Sequence, residues 1–185
     1  MGFRILFCSL IILCWLNHIL AQDMPEKPLQ VVPSVDLSRY AGTWYEIARL
    51  PNKFQKECIG DVTATYTLLA NGEIKVVNRC RKINGEITEA EGRARRASDD
   101  EPSSKLKVRF APAFLSFLSF VWGDYWILEL AADYSYAVVG EPDRKYLWVL
   151  ARSPKMDDGT LAGILDRVRQ QGYDVRALRR TEQAQ

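Results

Sequence analysis

Six consecutive residues, Lys105-Leu-Lys-Val-Arg-Phe110, place three cations on one face of an extended chain and Leu106, Val108 and Phe110 on the other. Side chains of a strand alternate between two faces, so this segment has one wet and one dry face. Val62-Thr-Ala-Thr-Tyr-Thr-Leu68 repeats the pattern, with three threonines opposite the apolar residues. A parallel sheet buried on both faces would read apolar throughout, so the alternation predicts antiparallel sheet.

Eight segments read as strands: Thr43–Leu50, Val62–Leu69, Glu73–Arg81, Glu86–Arg96, Lys105–Phe110, Asp124–Leu130, Tyr134–Gly140 and Lys145–Ala151. Their connections are short. Asn71-Gly72 and Asn84-Gly85 supply residue pairs that accept the positive φ of tight hairpins, and Asp99–Ser104 and Gly140–Arg144 are rich in turn formers. None of these connections holds a crossover helix, so sequence neighbours pair antiparallel, and closing the sheet removes its exposed edges. The predicted fold is all-β, an eight-stranded antiparallel up-and-down β-barrel. Leu161, Ile164, Leu165 and Val168 recur at helical spacing between Asp157 or Asp158 as cap and Gly172 as stop, which predicts one C-terminal α-helix docked outside the barrel. Asp174–Ala177 is read as a last short strand.

The amino terminus has a different composition. A basic start at Arg4, an apolar run over Ile5–Leu16 and a more polar stretch to Ala21 predict a secretory signal peptide over residues 1–21, too short for a comfortable membrane span. A small residue would precede a lipid-modified cysteine, whereas Phe7 precedes Cys8 and Leu13 precedes Cys14, which speaks against a lipoprotein. Residues 22–35 carry three prolines and read as an extended leader, and residues 36–180 as the barrel domain. Removing 1–21 takes away Arg4 from the 25 basic residues and His18, the one histidine, leaving 24 basic against 23 acidic residues. That excludes histidine triads and histidine metal sites from the mature chain, and near-neutrality argues against a nucleic-acid partner. No metal and no cofactor are expected. Cys58 and Cys80 remain, and an even pair in an exported protein reads as a disulfide, closing a loop of about 23 residues worth ~3 kcal/mol. A reactive thiol is the alternative.

Gly42-Thr-Trp-Tyr-Glu-Ile-Ala-Arg49 resembles the first lipocalin signature, and Tyr146-Leu-Trp-Val-Leu-Ala-Arg152 resembles the closing strand of that family with its terminal Arg. Val139-Gly-Glu-Pro-Asp-Arg-Lys-Tyr146 departs from the usual middle signature in the manner of bacterial lipocalins, relatives of apolipoprotein D. The resemblance covers about residues 33–180. It implies that Gly42, Trp44 and Arg152 form a structural floor, with the guanidinium on the indole as a cation–π pair.

An eight-stranded barrel is filled by its own side chains or admits one small ligand. Alternation predicts a lining that includes Ala64, Tyr66, Ile74, Val76, Asn78, Leu106, Val108, Tyr125, Ile127, Tyr136, Val138, Trp148 and Leu150, with Ala64, Ala90 and Gly92 leaving room. An apolar lining suits an acyl chain, and the resemblance implies a carrier of a fatty acid or lysophospholipid serving membrane maintenance. The implied location is the periplasm or outer membrane, or the extracellular space in a eukaryote, and the expected state is a monomer or homodimer. Ala111–Trp122 is strongly apolar for a loop and falls at the mouth, where it can cover a ligand, touch a membrane or pair protomers. The rival readings are a cysteine-thiolate isomerase, a filled structural barrel and, with Tyr as the ligand, a pigment or haem carrier. Glu89 and Glu91 share a face with Arg93 and Arg95, which favours ion pairing over acid–base work.

Overall fold

The computed structural model describes residues 28–184; the expected signal peptide and the first part of the leader lie outside the described residues. The strands are β1 (Gly42–Arg49), β2 (Cys58–Leu68), β3 (Ile74–Lys82), β4 (Ile87–Arg96), β5 (Lys105–Arg109), β6 (Gly123–Leu130), β7 (Tyr136–Gly140), β8 (Leu147–Ala151) and β9 (Arg179–Arg180). Each of β1 to β7 pairs antiparallel with the next, and β1 pairs with both β2 and β8, so the barrel is closed. The chain is therefore a closed eight-stranded antiparallel barrel with a C-terminal helix.

The short helix α1 (Leu37–Tyr40) precedes β1, with the Asp36 side chain accepting from the Ser38 and Arg39 amides. Helix α2 (Asp158–Gln170) is capped by Asp157, whose side chain accepts from the Thr160 amide. Leu161, Ile164 and Val168 are buried on its inner side against Leu128, Val138, Val149 and Ala151 on the outer wall of the barrel. Gly140 is required there: a Cβ at this position would stand 2.1 Å from the Tyr173 hydroxyl. Two cores result. One lies inside the barrel and the other between its outer wall and α2.

The carboxyl-terminal reading needs one correction. Residues Val175–Ala177 form a 3₁₀ turn, and the last strand is Arg179–Arg180, which pairs with Ala48 and Arg49 of β1. The tail lies between β1 and β2 where they diverge. The Gln183 side-chain amide donates to the Glu46 and Val62 carbonyls, at 2.8 and 2.9 Å. The described part of the leader, residues 28–35, is extended and lies against the closed end. The Val32 amide donates to the Ile127 carbonyl at 3.1 Å, the Val35 amide to the Ser103 hydroxyl at 2.8 Å, and the Val35 side chain joins the interior core.

Cys58 and Cys80 form a disulfide with 5.6 Å between Cα atoms. The β2–β3 register shifts twice between Cys58 and Thr63, and these irregularities carry Cys58 along to face the end of β3.

Candidate functional site

The odd-to-even connections, β1–β2, β3–β4, β5–β6 and β7–β8, all lie at one end of the barrel and surround its mouth. The other end is closed by α1, Trp44 and Arg152. Gly42 adopts φ +96°, a left-handed conformation that favours glycine, and a Cβ there would come 3.2 Å from the Arg152 guanidinium. That guanidinium centres 3.9 Å from the middle of the Trp44 ring and donates to the carbonyls of Arg39, Tyr40, Ala41 and Thr43. It thereby caps the carbonyl end of α1. The Trp44 indole N–H donates to the Tyr40 carbonyl at 2.8 Å.

Above this floor lies a cavity of about 1060 Å³. The barrel is not filled by its own side chains. Ala64, Tyr66, Val76, Asn78, Val108, Tyr125 and Trp148 line the cavity, together with Val139 and Leu150. Ile127 belongs to the interior core but lies below the lined space.

Tyr136 and Val138 are placed on the wrong face by the sequence reading. Both belong to the core under α2, and the Tyr136 hydroxyl accepts from Arg167 of that helix at 3.3 Å; Ala137 and Val139 face inward instead. The reason is physical. The helix covers the outer wall of β7, so Tyr136-Ala-Val-Val is apolar on both faces and alternation gives no register. A register shift in the β6–β7 pairing between Ile127 and Glu129 adds to the ambiguity. Gly92 also leaves no extra room, because the Phe110 ring lies over it: a Cβ there would meet that ring at 2.8 Å.

Two hydrogen-bonded polar clusters stand out in the cavity, one at its base and one near the mouth. At the base, the Tyr125 hydroxyl lies 2.8 Å from the hydroxyls of both Tyr40 and Tyr66. Burial pushes all three hydroxyls above the ordinary phenol range, Tyr66 to about 12, so they are protonated at neutral pH. Near the mouth, the buried Glu46 carboxylate accepts from Arg49, from the Thr181 hydroxyl and, at 2.6 Å, from Gln55. Gln55 in turn accepts from the Trp148 indole at 2.9 Å. Glu46, Gln55 and Tyr40 are missing from the sequence reading. Glu46 has the same strand parity as Trp44 and was legible on that ground; no local signal marks the other two.

Glu89 and Glu91 are ion-paired. Glu91 binds Lys75 at 2.9 Å, and Glu89 binds Arg79 at 2.8 Å. Among the described residues no group of three His, Cys, Asp or Glu side chains could hold a metal ion.

The Ala111–Trp122 connection forms two 3₁₀ turns, Ala113–Leu115 and Ser119–Val121. Trp122 anchors it to the outer wall, its ring centre 4.2 Å from the Arg95 guanidinium and 5.1 Å from that of Arg109. Phe114, Phe117 and Phe120 stay 74, 79 and 81 % exposed.

Residues 35–183 match the family profile described as Lipocalin-like domain. Temperature-induced lipocalin-1 of Arabidopsis thaliana is 39 % identical over 160 residues, 86 % of this chain and 85 % of that protein. The outer membrane lipoprotein Blc of Citrobacter freundii is 36 % identical over 155 residues, 83 % of this chain and 82 % of that protein. Mouse apolipoprotein D is 32 % identical over 169 residues, 86 % of this chain and 82 % of that protein. Among solved structures, insecticyanin of the tobacco hornworm Manduca sexta superposes with a TM-score of 0.65 at 22 % identity, covering 85 % of each chain, which supports the fold. The closed barrel, its Trp44–Arg152 floor and these matches agree: the chain belongs to the lipocalin family.

Proposed function

We propose that this lipocalin is an exported carrier that holds one fatty acid or lysophospholipid in its barrel and exchanges it at a membrane surface. The observation that carries the reading is the cavity itself: about 1060 Å³, open at one end and walled mainly by apolar side chains. Its size matches the ~300–1,000 Å³ usual for small-molecule sites. Burying ten methylenes at ~0.8 kcal/mol each contributes roughly 8 kcal/mol before ordering costs, in the micromolar range. Dispersion and desolvation do not discriminate chain identity, so broad acceptance of acyl chains follows. The isomerase alternative needs a free thiolate, and the disulfide occupies both Cys58 and Cys80.

The membrane part of the reading rests on where the apolar surface lies. Of the exposed large hydrophobic residues among those described, Phe54, Ile59, Ile83, Ile87, Phe110, Phe114, Phe117 and Phe120 all lie on or beside the connections around the mouth; Leu68 is the exception. Exposed apolar residues gathered at one end of a barrel mark a contact surface, and a rim around the cavity entrance faces a ligand's source. The kinship with an outer membrane lipoprotein of bacteria supports the same location. Titration with a fluorescent fatty acid tests carriage: saturable uptake of one probe per chain at about micromolar concentration is expected. Absence of uptake at ~10 μM, by protein freed of endogenous lipid, would overturn it.

A further inference from the structure

The three tyrosines at the base of the cavity hold one proton more than they use. Tyr40, Tyr66 and Tyr125 carry one O–H each, and two hydrogen bonds join them through Tyr125, both at 2.8 Å. Whichever way those bonds run, one O–H remains without an acceptor, and no other side chain or carbonyl among the described residues hydrogen-bonds to these hydroxyls. Tyr40 is buried beneath the cavity, whereas Tyr66 and Tyr125 line it. The leftover proton sits on a lining hydroxyl whenever Tyr40 donates rather than accepts. A buried donor without a partner is costly, so an acceptor at this place gains more than an ordinary hydrogen bond in water.

A second observation gives the sign of the acceptor. Arg152 lies under the triad, its guanidinium 3.9 Å from the Trp44 ring centre, and Trp44 packs against Tyr40 with ring centres 4.8 Å apart and planes tilted by 34°. All four acceptors of Arg152 are backbone carbonyls, and it makes no ion pair with a carboxylate among the described residues. Its positive charge, with no carboxylate to neutralise it, favours an electron-rich group at the base of the cavity. Near the mouth Glu46 already has Arg49, and Lys53 and Lys56, which line the opening, are exposed to water, which screens their charge.

From these two features we propose that the tyrosine triad is a carboxyl site, and that a fatty acid binds head-in, its carboxyl oxygen accepting from Tyr66 or Tyr125 and its methyl end at the mouth. This rests on the carrier reading and deepens it. A lysophospholipid, whose head group is too large and too hydrated for the base, enters tail-first and leaves the triad untouched. The site thus separates two ligand classes that an apolar tunnel alone would treat alike.

The test uses hexadecanoic acid labelled with ¹³C at the carboxyl carbon, bound to the whole protein, with a soluble paramagnetic agent added. Head-in binding leaves the carboxyl resonance sharp and unshifted across the usual carboxyl titration range. In parallel, the Tyr40→Phe/Tyr66→Phe/Tyr125→Phe variant keeps ring shape and removes every hydroxyl together. Its affinity for hexadecanoic acid should fall about tenfold or more, while that for a lysophosphatidylcholine of equal chain length is unchanged. A broadened, titrating carboxyl resonance on the wild-type protein would overturn head-in binding while leaving the carrier intact. A protected carboxyl with unaltered affinity in the variant would overturn the tyrosine assignment. Failure to bind either lipid would overturn the carrier as well.

Discussion

The Arg152 guanidinium sits over the Trp44 ring, 3.9 Å from its centre, and donates to four backbone carbonyls, so one side chain joins the end of β8, the start of β1 and the end of α1. A lysine keeps the charge but loses the planar fork and the stacking. Arg152→Lys should lower stability by about 2 kcal/mol, from lost stacking and charge-assisted hydrogen bonds. Urea denaturation followed by tryptophan fluorescence measures it, and an unchanged midpoint would contradict this role.

Reducing the Cys58–Cys80 bridge, which spans 22 positions of sequence, should cost ~3 kcal/mol through the freedom restored to the unfolded chain. Denaturant midpoints with and without reductant give the value.

The tyrosine triad predicts an alkaline limit. Its hydroxyls titrate above their ordinary value near 10 because burial disfavours the phenolate, with Tyr66 near 12. A raised acid in the folded state contributes stability that is complete below the unfolded value and is lost as pH rises towards the folded one. Stability should therefore fall between about pH 10 and 12 more steeply in the wild type than in the variant with all three tyrosines replaced by Phe. Denaturant midpoints across that range measure the difference.

At the acid end the sign reverses. Asp174 is held down to about 2, first by the hydrogen bond from Arg176, and Asp61 is lowered by the Ala184 amide and then by Arg81. Depressed carboxylates contribute above their ordinary value of 3.8 and lose that contribution as pH falls through the folded one. Melting temperature should be level above about pH 4 and decline towards pH 2, and Asp61→Asn should flatten the decline by releasing the tail.

Replacing Phe114, Phe117 and Phe120 by Ser should abolish co-sedimentation with phosphatidylcholine vesicles without altering thermal stability, because these rings touch solvent rather than either core. Vesicle binding that survives the triple change would contradict the rim as the contact surface.

How legible the barrel was depended on what lies outside each strand. Strands β2 and β5 have polar outer faces, and their inward residues, Ala64, Tyr66, Leu106 and Val108, follow from alternation alone. The outer wall of β7 is covered by α2, so Val138 and Val139 are equally apolar and only the three-dimensional register separates them. The floor pair Trp44 and Arg152 was legible from motif and topology. The carbonyls that hold Arg152 were not, since backbone acceptors leave no trace in side-chain identity. The tyrosine triad joins β2, β6 and α1, residues 40, 66 and 125, and no local pattern connects them.

The account stands on occupancy of the barrel. Native mass spectrometry of the protein, purified gently from its source and followed by lipid extraction, tests it most directly. A mass increment of one acyl lipid per chain, lost on solvent extraction and regained on adding hexadecanoic acid, is the predicted result. A chain that carries no lipid when isolated and gains none when hexadecanoic acid is supplied would contradict the carrier.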